Sequence, residues 1–156
     1  MKKIKIFLAS SIVEFKNIRI MIGDIIRQIQ NKVIEDNIRL DLFMCEYEDN
    51  SMNKDRMQER YNDKLRESNI FIMLIGKNVG EFTIEEYEVS KEINNLKRYI
   101  LFQKVETNDI VNKFRNKLEN DKLKNIENTI YQFDNEEELT NIIKEIVEKN
   151  TKLGEV

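Results

Sequence analysis

Residues 70–75 read Ile70-Phe71-Ile72-Met73-Leu74-Ile75, six apolar side chains in a row, followed at once by Gly76-Lys77. Successive side chains of a strand point to opposite faces, so a strand with one wet face alternates apolar and polar residues. A run with no polar residue is what a central strand covered on both faces requires.

Outward from this run, apolar segments and amphipathic ones take turns. Lys3 to Ala9 is a first strand, ending at Ser10-Ser11. Ile18, Ile22, Ile25, Ile29 and Val33 recur at spacings of three and four, one apolar stripe of a helix. Ile38 to Cys45 sets Ile38, Leu40, Leu42 and Met44 against Arg39, Asp41 and Phe43, an alternation that marks a half-wet or edge strand. After a polar loop, Glu46 to Asn53, comes a helix with Met57, Tyr61 and Leu65 inward. Beyond the 70–75 strand and its loop, the spacing predicts a helix over 83–96 with Val89, Ile93 and Leu96 inward. A fourth strand follows from Tyr99 to Val105, then a helix on Ile110, Phe114 and Leu118, whose charges from Lys113 to Lys124 form a solvated face. Ile130 to Phe133 is a short fifth strand. A closing helix carries Leu139, Ile142, Ile143, Ile146 and Val147, with Asp134 and Glu137 as its capping pair.

Strands separated by helices imply right-handed crossovers and a parallel sheet. An alternating second strand and a short fifth belong at the edges, so the expected order is 2-1-3-4-5: α/β, a flavodoxin-like three-layer sandwich. One domain over residues 1–150 with a tail at 151–156 accounts for the chain, which shows no internal repeat, low-complexity segment or linker. Sheets of this kind bind ligands outside the carboxyl ends of the strands, near the switch point between the first and third. That places the expected site among Ser10 and Ser11, Glu46, and Gly76 through Glu86.

Composition narrows the chemistry. There is no histidine and one cysteine, Cys45, in 156 residues. Serine–histidine and cysteine–histidine catalysis, histidine and cysteine metal clusters, and an internal disulfide are thereby excluded. Catalysis is left to carboxylates, hydroxyls, amides, lysine and arginine. The net charge is −3 with both signs interspersed, so there is no basic stripe for a nucleic-acid backbone. No apolar run reaches the roughly 18 residues of a membrane span. Lys2-Lys3 and the apolar residues after them faintly imitate an export signal, but Glu14 and Lys16 follow too soon, and a cytoplasmic protein is expected.

The turn after the first strand, Ser10-Ser11-Ile12-Val13-Glu14-Phe15, has no glycine, which excludes a Gly-x-Gly-x-x-Gly dinucleotide turn. No Walker loop is present, and no aspartate closes the third strand as a receiver domain requires. The informative stretch is Gly80 to Ser90, GEFTIEEYEVS. Glu86 lies three, four and seven residues before Val89, Ser90 and Ile93 and shares their inward side, where a carboxylate is costly without partners. Thr83-x-x-Glu86 also reads as a capping box, with Thr83 as N-cap. Glu85 and Glu88 read as solvated helix charges. Ser10 and Ser11 can satisfy backbone donors at their turn or hydrogen-bond a ribose or phosphate. Arg19 reads as a surface or structural cation, Lys77 as a solvated loop lysine able to attract a pyrophosphate, and Cys45 as an inert packing residue.

Over nearly its whole length the chain resembles a bacterial TIR domain of a divergent TIR-like group. Such domains often open with a strand and a serine-containing turn, here Ile6-Phe7-Leu8-Ala9-Ser10-Ser11. After the third strand they carry a short loop, then an aromatic residue four places before a glutamate, here Phe82 and Glu86, the aromatic more often being tryptophan in the family. The family glutamate is the catalytic residue of NAD-cleaving TIR enzymes, and the resemblance implies that role for Glu86. Around it, Ser10, Ser11, Glu46, Gly76, Lys77, Phe82 and Thr83 are the expected substrate contacts. The Glu46 to Asn53 loop matches the family's BB loop in position, which implies self-association through it.

The resemblance implies an NAD+ nucleosidase of antiviral or stress signalling, active on assembly and coupled to a fused or separate sensor domain. NAD+ is then the substrate, and no metal or prosthetic cofactor, nucleic acid or membrane is expected. Two alternatives stay open: a nucleoside deoxyribosyltransferase-like enzyme, also α/β with a glutamate near the sugar, and a non-catalytic TIR-like interaction module.

Overall fold

The computed structural model describes residues 1–44 and 54–151, the side chains of 54–57 excepted. Its elements are β1 (Lys2–Ala9), α1 (Lys16–Val33), a 3-10 turn (Ile34–Asp36), β2 (Ile38–Met44), α2 (Lys54–Arg66), β3 (Ile70–Ile75), α3 (Glu81–Ser90), β4 (Lys97–Gln103), α4 (Asp109–Leu123), β5 (Thr129–Phe133) and α5 (Glu136–Thr151). The sheet is five-stranded and wholly parallel in the order β2-β1-β3-β4-β5, a flavodoxin-like sandwich. No helix among the described residues is long and apolar enough to cross a membrane.

Register explains the apolar runs. Ile6, Leu8, Ile70, Ile72 and Leu74 point to one face, where they meet Ile22, Ile25, Ile26 and Ile29 of α1 and Leu139, Ile143, Ile146 and Val147 of α5. Phe7, Ala9, Phe71, Met73 and Ile75 point to the other, against Leu65 of α2, Tyr87 of α3, and Val111, Phe114 and Leu118 of α4. β3 therefore has no face left for a polar residue, and none of its six side chains is more than 1% exposed. β2 is an edge, and its first three residues alternate buried and exposed.

Several boundaries differ from the periodicity reading. α3 ends at Ser90, not Leu96, and β4 starts at Lys97, two residues early. The Lys97 N–H donates to the Asn69 carbonyl at 3.1 Å, which sets Lys97 opposite Ile70 and starts the ladder there. Leu96 is still buried, from the turn rather than the helix. In α4 the inward position belongs to Val111, and Ile110 is half exposed. α5 is capped one residue later than expected: Asn135 Oδ1 accepts from the Glu138 N–H, and the Glu138 carboxylate accepts from the Asp134 N–H. Cys45 and the Glu46 to Asn53 loop lie outside the described residues, as does the tail from 152 to 156.

Candidate active site

β1 and β3 are adjacent and parallel, with Ala9 opposite Met73, so their carboxyl ends emerge together at the switch point. Two turns meet there. In the turn after β1, the Ser11 hydroxyl accepts a hydrogen bond from the Glu14 N–H at 3.2 Å, and the Phe15 N–H donates to the Ser11 carbonyl. Phe15 is buried and anchors the turn. Glu14 then reaches across to the turn after β3, where its carboxylate accepts from the Lys77 N–H at 2.5 Å.

Gly76 lies beneath this contact. A Cβ there would run into the Glu14 carboxylate, 2.7 Å from its Cδ, and sit 2.9 Å from Cζ of Phe15. Glycine is needed for that close approach. The Lys77 side chain is exposed, and its carbonyl accepts from the Asn108 N–H at 3.2 Å. Asn108 Nδ2 also donates to Asn78 Oδ1 at 2.9 Å, which ties the β3–α3 turn to the N-cap of α4.

Ser10, at the end of β1, is half-buried. Its hydroxyl oxygen is shielded from solvent and has no hydrogen-bond partner among the described residues.

The capping box expected at Thr83 and Glu86 does not form. α3 begins three residues earlier than that reading needs, with Gly80 as N-cap (φ −75°, ψ 157°) and no side-chain cap. The Ile84 N–H donates to the Gly80 carbonyl and closes the first turn on backbone alone. Thr83 is a buried residue of that first turn, and Phe82 is half-buried beside it. Glu86 falls in the second turn, too deep to reach the N-cap, and is only 5% exposed.

Glu85 is exposed, as expected of a solvated helix charge, whereas Glu88 is half-buried and paired. The Glu85 carboxylate accepts from Asn62 Nδ2 of α2 at 3.1 Å. Glu88 pairs with Lys91 at 2.8 Å and with Lys117 of α4. Burial alone would raise the Glu88 carboxyl, but the hydrogen bonds from Lys117 and Lys91 outweigh it and hold the group below the usual carboxylate range.

A polar network that the periodicity reading missed holds the back of α3. The Tyr87 hydroxyl, on a wholly buried ring, donates to Asp121 at 2.7 Å and accepts from Asn128 Nδ2 at 3.0 Å. Asp121 also pairs with Lys91 at 3.3 Å. Arg98 donates to Asn128 Oδ1 at 2.9 Å and to the Glu127 and Ser90 carbonyls. Burial, with the hydrogen bond to Asp121, pushes the Tyr87 phenol well above its ordinary range. Asp121 was expected on a solvated face and is 4% exposed. A signal was present, since it continues the Phe114, Leu118 stripe at spacing three. For Glu14 the signal was its place three residues after Ser11.

Of the expected site residues, Ser11, Gly76 and Lys77 meet at the two turns, joined by Glu14. Ser10 lies at the same end of the sheet, and Phe82, Thr83 and Glu86 follow on α3. Glu46 is outside the described residues. Arg19, in the first turn of α1, is 7% exposed, a buried rather than a surface cation. Compared with known proteins, the chain matches no family model, no curated protein and no solved structure.

Proposed function

We propose that the chain is an NAD+ nucleosidase with Glu86 as its catalytic carboxylate, serving bacterial antiviral or stress signalling. The observation that carries this reading is the position of Glu86. It is a carboxylate only 5% exposed, on the helix that leaves the central strand at the ligand-binding end of a parallel sheet, and helix capping does not explain it. In such surroundings a fixed charge acts on a reacting group far more strongly than in water. NAD+ already carries a cationic leaving group, so the demand on the protein is small. The Glu86 carboxylate would hold the ribose hydroxyls and stabilise the oxocarbenium-like charge as the C1′–N bond opens and nicotinamide leaves with the bonding pair. Water adds at C1′ and gives up a proton, leaving ADP-ribose; attack by the adenine would give the cyclic product. The missing histidine is no obstacle to this chemistry.

The test is NAD+ consumption at high protein concentration. Glu86→Gln keeps the shape and removes the charge, and the rate should fall about a hundredfold or more, the scale of losing one electrostatic contact to a transition state. Glu85→Gln, whose amide oxygen can still accept from Asn62, should match wild type. A Glu86→Gln protein that consumes NAD+ at the wild-type rate ends the assignment. Sugar exchange between deoxynucleosides, with NAD+ untouched, would point to deoxyribosyl transfer. No turnover of either substrate by wild type, even in the assembled state, would leave an interaction module.

A further inference from the structure

We infer that the Lys77 amide is an anion position that Glu14 fills in the free protein, so that the Glu14 carboxylate is a built-in competitor of a ligand phosphate. Three observations lie at the carboxyl ends of β1 and β3, the first two of them at one contact. The Lys77 N–H holds a carboxylate oxygen at 2.5 Å, so the amide is aimed at negative charge. Gly76 beneath it lacks the Cβ that would block such an approach, the same reason glycine is needed wherever a backbone meets a pyrophosphate. At the end of the neighbouring strand, the Ser10 hydroxyl is shielded and has no partner among the described residues, a donor left over for a ligand.

Glu14 is exposed and belongs to a turn, so its side chain can swing out without disturbing the core. Its backbone keeps its own anchor, the bond from the Glu14 N–H to the Ser11 hydroxyl. A phosphate arriving from solvent would take the Lys77 N–H and the Ser10 hydroxyl, with the Lys77 ammonium beside it. It must first displace a charge-assisted hydrogen bond and then accept the displaced carboxylate as a close neighbour of like sign. Both costs weaken binding and vanish when Glu14 is removed. The identity of the ligand as the diphosphate of NAD+ rests on the nucleosidase reading; the anion position itself does not.

Inorganic pyrophosphate is therefore the first probe, measured by calorimetry on the whole chain. Glu14→Ala should tighten pyrophosphate binding about tenfold or more, the equivalent of one charge-assisted hydrogen bond. Glu14→Gln, which keeps an acceptor for the amide but loses the repulsion, should gain less. Adding Gly76→Ala to Glu14→Ala should erase the gain, because the new methyl takes the anion's place. Adding Ser10→Ala should reduce it. If Glu14 is only a staple between turns, Glu14→Ala will melt earlier and bind pyrophosphate no better than wild type, and the inference is overturned. Should Glu14→Ala fail to fold, Glu14→Gln decides alone: unchanged affinity there also overturns it. Tighter pyrophosphate binding without any NAD+ cleavage would sink the nucleosidase reading and leave the anion position standing.

Discussion

Tyr87 shows how much one buried hydroxyl holds together. Its oxygen joins α3 to Asp121 of α4 and to Asn128 before β5, and its ring meets Phe114 edge-on at 5.1 Å. Tyr87→Phe keeps the ring but leaves the Asp121 carboxylate and the Asn128 amide each short of a partner, at a cost of about 1–3 kcal/mol in chemical unfolding. The pH dependence has a definite sign. A phenol whose pKa is raised by folding contributes stability that is complete below its unfolded pKa and is lost as the pH climbs toward the folded value. Wild type should therefore lose stability above roughly pH 10, and Tyr87→Phe should lose less over the same range. Denaturant midpoints taken at pH 8 and pH 11 give the answer. Equal slopes for both proteins would mean that Tyr87 is not the group that titrates.

Among the elements, asparagine closes helix ends and turns in a chain with only four glycines. Asn37, Asn95 and Asn125 take left-handed backbone with φ of 61°, 66° and 66°, a conformation asparagine tolerates better than most residues. At the end of α4 the Asn125 N–H donates to Lys122 and the Ile126 N–H to Asp121, the paired bonds of a Schellman turn. Asn125→Ala should cost about 1 kcal/mol and Asn125→Gly should be neutral or better, read from thermal melts. A loss on Asn125→Gly as large as that on Asn125→Ala would show that the asparagine side chain, not the backbone, closes the turn. The elements themselves were legible, because burial on both faces of β3 and on one face of α1 writes a period into the sequence. Boundaries were less so. The start of α3 is set by Gly80, which has no side chain to announce a cap, and the start of β4 by a hydrogen bond to Asn69, 28 positions away. The switch point itself followed from topology, whereas Glu14 reaches the candidate site through a contact 63 residues distant that no periodicity encodes.

At the scale of the molecule, one exposed apolar side chain lies in the turn after β1. Val13, next to Glu14, is 77% exposed. β2 ends at this same end of the sheet, with Met44 opposite Leu8. If the chain self-associates as the resemblance implies, specific activity on NAD+ should rise with protein concentration, since only the assembled fraction is competent. Val13→Asp should flatten that rise while leaving the monomer's melting temperature unchanged. Activity independent of concentration in wild type would remove assembly from the account. The strand order carries a consequence in time as well as space. β2 joins β1 on one side, β3 joins it on the other, and β4 and β5 each dock on the strand before them. Every newcomer finds a free edge, so the sheet can grow outward as the chain leaves the ribosome, with no finished pair of strands prised apart to admit a later one.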